Sequence, residues 1–188
     1  RNASLIYDAH QPARPGPGFD PGYFQLYGLY VYVSDLFTGD DAISFDLERL
    51  SFWEMAGFNL SHFTARVQAG NQQLILSNAL VRTPGTSIRV DAELNYPDHD
   101  AFSDIFNQVE FKLSLLPSVI DLEDLGKTVP GAWGIEGKLN LSGNFTGRVS
   151  GFTGSGIRLN YGDNSVFRGD VQFTGLPDFS NTYINLFI

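Results

Sequence analysis

Three histidines, His10, His62 and His99, are the only imidazoles in the chain, and none has a partner at metal-ligand spacing. Asp98-His99-Asp100 sets two carboxylates around one ring, a group able to meet a cation, but its place beside Pro97 reads as a solvated turn. Asp40-Asp41 and Glu123-Asp124 read in the same way, as a turn and a helix face. Gly154-Ser155-Gly156 lacks the G-x-S-x-G frame and following helix of a nucleophile elbow. The glycine-rich stretches lack the lysine or helix that a phosphate loop needs. Asn2, Asn59, Asn140 and Asn144 each open an N-x-Ser/Thr tripeptide, a pattern that arises often by chance in polar strands. No catalytic residue, metal or cofactor is expected, and the chain does not read as an enzyme.

Composition narrows the remaining classes. The 188 residues carry 21 Asp+Glu against 12 Lys+Arg, a net charge of −9, which disfavours any partner held by phosphate neutralisation, nucleic acid included. Cysteine is absent, so disulfides and thiolate zinc sites are excluded. The 43% hydrophobic content is enough to bury a core and too high for a disordered tail. Within it, 16 Phe and 8 Tyr join many Val, Ile and Leu, a set that suits pleated sheet better than long helix. No apolar run reaches the length of a membrane-spanning helix. An opening Arg1 and an apolar alternation running into Ile188 suggest a piece of a longer protein, with any signal or anchor outside it.

Residues 1–22 read as a linker or short leading strand plus a Pro/Gly loop, since 11–22 hold four prolines that cannot donate to a ladder. From residue 23 to 188 period-two alternation recurs, giving about eleven strands at antiparallel spacing. Parity switches near Glu48-Arg49, where a bulge is expected, and a second inversion is expected near Gly151. Phe102, Ile105 and Phe106 fall at helical spacing, and Ser118 to Gly126 predicts another helical turn, capped by Ser118 or Asp121 with Leu122 and Leu125 inward.

Nearly every strand has one apolar face. The candidate groove-lining set is Ile43, Phe45, Leu47, Ile88, Val90, Leu94, Phe111, Leu113, Leu139, Leu141, Phe145, Ile157, Leu159, Phe167, Val171, Phe173, Ile184 and Leu186. No long helix is available to cover that face, so the sheet must close as a sandwich, form a barrel or curl into an open trough. An uncovered face of this kind suits acyl chains, at about 0.8 kcal/mol per buried CH₂. A closed sandwich core fits the pattern equally well.

Several segments in fixed order resemble a known family. Gly18-Phe-Asp-Pro leads into an aromatic strand, followed by Phe37-Thr-Gly-Asp-Asp-Ala-Ile-Ser-Phe45 and Leu50-Ser-Phe-Trp-Glu-Met-Ala-Gly-Phe-Asn-Leu60. Val81-Arg-Thr-Pro-Gly-Thr-Ser-Ile88, Leu141-Ser-Gly-Asn-Phe-Thr-Gly-Arg-Val-Ser150 and the stretch from Phe167 to Ile184 continue the series. Together they are similar to TamB-type translocation and assembly module proteins of Bacteroidetes-like bacteria, within the AsmA-like, bridge-like lipid transfer superfamily. The resemblance implies an all-β fold, a long curled antiparallel sheet with an open hydrophobic trough (a β-taco) and one or two short helices. It further implies a segment of a periplasmic envelope protein anchored in the inner membrane through a region outside the chain. Phospholipid acyl chains would be the cargo, with an Omp85-type outer-membrane partner met elsewhere in the protein, and outer-membrane biogenesis the process served. Two other readings stand beside it: a closed β-sandwich adhesion or carbohydrate-binding module using Tyr30, Tyr32, Trp53 and Trp133, and a purely structural spacer with a dry core.

Overall fold

The computed structural model describes residues 3–8, 10, 23–128, 134–176 and 178–188. Asn2, the Pro/Gly loop of residues 11–22 with its Gly18-Phe-Asp-Pro motif, and Trp133 lie outside the described residues. Eleven strands form one sheet in strict sequence order: β1 (Ala3–Asp8), β2 (Tyr23–Thr38), β3 (Ala42–Glu54), β4 (Asn59–Gly70), β5 (Gln73–Arg82), β6 (Ser87–Asn95), β7 (Glu110–Asp121), β8 (Lys138–Arg148), β9 (Gly151–Tyr161), β10 (Ser165–Thr174) and β11 (Tyr183–Phe187). Every pairing is antiparallel and joins neighbours in sequence. β1 and β11 do not pair with each other, so the sheet is open and neither barrel nor two-sheet sandwich forms.

Opposed residues in an antiparallel ladder point to the same side, so the register can be followed from strand to strand. Phe45, Val67, Leu76, Ala92, Leu113, Phe145, Gly154, Val171 and Leu186 stand in one unbroken row across nine strands. A parallel row runs from Ile43 through Ala69, Leu74, Leu94, Phe111, Gly147, Phe152 and Phe173 to Ile184. One face of the sheet is therefore apolar almost end to end.

The register also shows how that face is bent. Strands β3, β5, β7 and β9 each carry an extra residue at mid-length, between Leu47 and Leu50, Leu76 and Ala79, Leu115 and Ser118, and Gly154 and Ile157. At each site two consecutive residues occupy the outer face between successive residues of the apolar face. The added backbone lengthens the outer side, so each of these four strands bends toward the apolar side. The four bulges flank one row of the apolar face, through Leu47, Ala65, Ala79, Val90, Leu115, Gly143 and Ile157, with those of β5 and β9 on one side of it and those of β3 and β7 on the other, and they crease the sheet along this row. Burial follows the crease: Leu47, Ala65, Val67, Ala79, Ile157, Ser118 and Val171 are buried, and all border it. The parity switch expected at Glu48-Arg49 is one of these bulges. The inversion expected near Gly151 lies instead at Ser155-Gly156, because Gly156 adopts the left-handed conformation (φ +59°) while Gly151 simply starts β9.

Two bulges are pinned alike. Asn78, also left-handed (φ +53°), donates its N–H to Asp91 Oδ1 of β6 at 2.7 Å, and Gly156 donates to Asp170 Oδ1 of β10 at 2.8 Å. The surrounding sequences match in kind: Ser77-Asn78-Ala79 with Arg89-Val-Asp91, and Ser155-Gly156-Ile157 with Arg168-Gly-Asp170. The β5–β6 and β9–β10 hairpins are thus two copies of one bulge-and-latch unit. At β7 the Ser118 hydroxyl does both jobs, accepting from Arg89 N at 3.0 Å and donating to Leu116 O at 2.7 Å. Asp91→Ala is expected to cost about 1.5 kcal/mol, the low end for a charge-assisted bond because the site is exposed. Hydrogen exchange should show the Asn78 amide losing protection while amides of β2 and β3 keep theirs.

The helices are short. A 3-10 turn over His99–Asp104 leads into α1 (Ile105–Gln108), where Asp98 accepts the N–H of Asp100 at 2.9 Å, and Ala101 and Val109 pack with Tyr96 into a small core. The helix expected from Ser118 starts later. Strand β7 runs on to Asp121 and α2 spans Leu122–Thr128, since Ser118 is held in the ladder by its bulge bonds. Asp121 accepts from Glu123 N at 3.1 Å, Leu125 is surface-exposed rather than inward, and Gly126 is buried inside the helix rather than ending it. This corner is clasped to the β5–β6 turn. Thr83 and Thr86 both donate to the Asp124 carboxylate, Thr86 Oγ1 accepts from Asp121 N at 3.0 Å, and a Cβ on Gly85 would lie 2.3 Å from Asp121 Oδ2.

Candidate functional site

All eighteen candidate residues fall on the apolar face. Ile43, Phe45, Leu47, Val90, Leu94, Phe111, Leu113, Phe145, Val171, Phe173, Ile184 and Leu186 are linked by the two rows above and the crease row beside them. Ile88 lies opposite Val81, and the Leu139–Tyr161 and Leu141–Leu159–Phe167 pairs extend the face toward the other strand ends. Sequence reading left out Leu50, Phe63, Leu74, Leu76 and Phe152, which share this surface. Leu50 follows from the parity switch at Glu48-Arg49, and Leu74 and Leu76 from clean alternation, so all three are legible in the sequence.

The decisive property is what covers these side chains. No large side chain anywhere among the described residues is fully buried. A second sheet or helix layer at normal packing density would seal rings of this size. Only Leu47, Ile157 and Val171 of the eighteen are buried, at the crease; the others are half-buried, except that Ile43 at the start of β3 and Ile184 and Leu186 on the edge strand β11 are exposed. Neighbours on the same face do the partial covering. Phe152 stacks on Phe173 at 4.8 Å between ring centroids and meets Phe111 and Phe145 at 5.7 and 6.3 Å. Ile157 leans over two side-chain-free positions, its Cδ1 lying 2.5 Å from where a Gly143 Cβ would stand and 3.0 Å from that of Gly154. The result is an apolar trench, floored at the crease and open along its length. Eleven strands at about 4.8 Å spacing give it a length of about 50 Å.

The outer face holds the charges. Arg66 makes a two-pronged ion pair with Asp46, both contacts at 2.8 Å, which holds the Asp46 carboxyl below its ordinary range and raises the guanidinium. Hydrogen bonding from Asn95, with Lys112 at 3.1 Å, lowers Glu93 in the same manner. These are solvated cross-strand pairs that add tenths of a kcal/mol to about 1 kcal/mol each at most in general experience. Depressions of about 430 Å³ beside Phe37, Ser44 and Gln68 and about 320 Å³ beside Ser77, Asp91 and Lys112 also lie on this polar side. Both are shallow, and their linings mix polar side chains with apolar ones such as Phe37 and Ile75. The trench is walled on two sides only, so its capacity is set by length rather than by an enclosed volume.

Tyr30, Tyr32 and Trp53 project from the outer face of β2 and β3, where Tyr30 and Tyr32 stand opposite Ser51 and Arg49 and all three are exposed; Arg49 sits 5.5 Å over the Tyr30 ring. Among the described residues no group of three or more His, Asp or Glu is placed to hold a metal ion. His62 stands in β4 opposite Arg82, His99 opens the 3-10 turn, and His10 lies 3.2 Å from Asp8.

No family model matches the chain, and no curated protein or solved structure gives a significant match.

Proposed function

We propose that the trench binds the acyl chains of phospholipids and lets them slide along its length. The observation that carries this reading is the unbroken apolar face, large in area and left half-open by the absence of a second layer. Apolar contact has no direction, so a chain lying along repeated Leu, Phe and Val side chains meets no single deep well, and movement along the trench costs little at each step. Each methylene taken from water contributes about 0.8 kcal/mol, so a few strands' width of contact holds a chain firmly. The polar head remains in solvent at the open mouth, where no charged partner is required. No catalytic chemistry enters this reading. The likeness to TamB-type proteins supports a periplasmic setting and a role in outer-membrane biogenesis, with the inner-membrane anchor and the Omp85-type partner belonging to other parts of such proteins.

The open sheet disfavours both other readings. A closed sandwich needs a facing sheet, and a dry spacer core needs sealed side chains; neither is present among the described residues. Native mass spectrometry and organic extraction of the chain purified from a bacterial envelope should release phospholipid at about one or a few molecules per chain. A lipid-free chain that also fails to quench a membrane-extracted fluorescent fatty acid would sink the proposal.

A further inference from the structure

Charge is distributed unevenly along the outer face. On β3 to β7 acid–base pairs cross the ladder, Arg66 with Asp46 and Lys112 with Glu93. The hairpins of β8, β9 and β10 differ. Residues 138–174 hold Lys138, Arg148, Arg158 and Arg168 against Asp163 and Asp170, a net positive stretch in a chain of net charge −9. Arg158 has Ser142 opposite it on β8 and Arg168 opposite it on β10, so neither cross-strand neighbour is an acid. Like charges that face each other across a ladder destabilise it, and an anion beside them offsets that cost.

Arg158 borders a depression of about 310 Å³ on that face, where Pro117, Val119, Asn140, Ser142 and Asn160 complete the lining. Asn140 stands opposite Asn160 and Ser142 opposite Arg158, with no register shift between the two pairs. The four polar side chains therefore mark a rectangle of about 5 Å by about 7 Å on one face. Among the described residues none of the four makes a side-chain hydrogen bond or ion pair. All are donors: the guanidinium, the two amides and the hydroxyl. No carboxylate lines the depression among the described residues. Asp170, two residues past Arg168, accepts Gly156 N at 2.8 Å, and Asp121 stands opposite Lys138. β8 and β9 lie inside the sheet, between β7 and β10, so no part of this group depends on a sheet edge.

We propose that this depression is an oxyanion site, which holds a phosphate group between the Arg158 guanidinium and the Asn140 and Asn160 amides. A guanidinium fork grips two phosphate oxygens in parallel, and the amides and the Ser142 hydroxyl supply donors for the others. This donor set exceeds what the two oxygens of a carboxylate need and suits a phosphate. A phosphoryl group on a soluble molecule and one on a lipid head group offer the same chemistry here. The site lies on the face opposite the trench, so it is independent of what the trench carries.

The test uses the 188-residue chain. Titration with inorganic phosphate at constant ionic strength, followed by NMR, should move the Asn140 and Asn160 side-chain amide signals with a dissociation constant of about 1 mM. Arg158→Gln should weaken that binding about tenfold, and Arg158→Lys, which keeps the charge but loses the fork, about threefold. Arg148→Gln, at the far end of β8, should leave it unchanged. Arg158 is exposed, so circular dichroism should report an intact fold in each variant. Sedimentation with phosphatidylcholine vesicles that carry phosphatidic acid then separates the two sources. Vesicle binding that depends on Arg158 assigns a lipid head group, and phosphate binding without vesicle binding assigns a soluble phosphorylated molecule. Three results overturn the inference: no response to phosphate, shifts spread over the whole surface, or equal losses from Arg158→Gln and Arg148→Gln.

Discussion

Replacing Leu113 and Leu141 together by arginine is expected to weaken fatty-acyl binding about 100-fold while leaving the sheet folded. Both leucines are half-buried on the apolar face of adjacent central strands, Leu113 opposite Phe145 and Leu141 opposite Leu159. An arginine at either position can lay its stem on the sheet and raise its guanidinium to the open mouth, so the fold is spared. An acyl chain crossing the pair then meets charge instead of hydrocarbon. Losing contact with about four methylenes at about 0.8 kcal/mol each removes about 3 kcal/mol, or two orders of magnitude in affinity. Titration with a fluorescent fatty acid reads the affinity, and far-ultraviolet circular dichroism reads the fold. Ile157 would be a poor choice for the same test. It is only 3% exposed, so an arginine there would bury a charge and confuse loss of binding with loss of structure. A folded double variant that binds as tightly as the parent would remove the trench from the acyl path.

The second large effect concerns the backbone of the trench. Gly147→Val should destabilise the chain by about 3 kcal/mol or more. Gly147 has φ +139°, and a Cβ there would sit 2.5 Å from Gly151 O and 2.7 Å from Phe152 Cα, both backbone atoms that cannot swing aside. Overpacking costs about 1–3 kcal/mol and the unfavourable backbone conformation about 1–2 kcal/mol more. With a urea slope of about 2 kcal/mol/M, the unfolding midpoint should fall by about 1.5 M. Gly151→Ala, four residues away in the same hairpin, is the control. Its nearest neighbour is Phe173 O at 3.9 Å, so its midpoint should move little. Equal effects from the two substitutions would mean that the β8–β9 contact seen here does not set stability.

Much of this fold was legible because it is local. Each strand announces its apolar face by alternation, and a meander places every strand beside its sequence neighbours, so the eighteen candidate residues needed no long-range information to share a face. The helical turn after Pro97 was equally plain, from Phe102, Ile105 and Phe106. The turn at Ser118 was misplaced because propensity favours a cap there, while a tertiary bond from Arg89 N holds that serine in the ladder. The bulge assigned near Gly151 lay five residues on, since glycine content alone does not say which residue is left-handed. Asn78 shows the converse: a non-glycine residue, of a type that tolerates the left-handed region, holds φ +53° and is stabilised by Asp91 from the next strand.

By itself the sequence determined that the chain is an acidic, cysteine-free antiparallel sheet with one apolar face, because composition and period-two spacing act residue by residue. Whether that face is sealed or open was undetermined at that level, since a sandwich core and a trench require the same alternation. Tertiary structure decided it through pairing order and bulge position. Eleven strands pair only with their neighbours, the two edges stay apart, and four bulges flanking one row lengthen the outer face against the inner. The sheet therefore bends about its apolar side without closing over it, and the hydrophobic surface that alternation created remains available to a ligand.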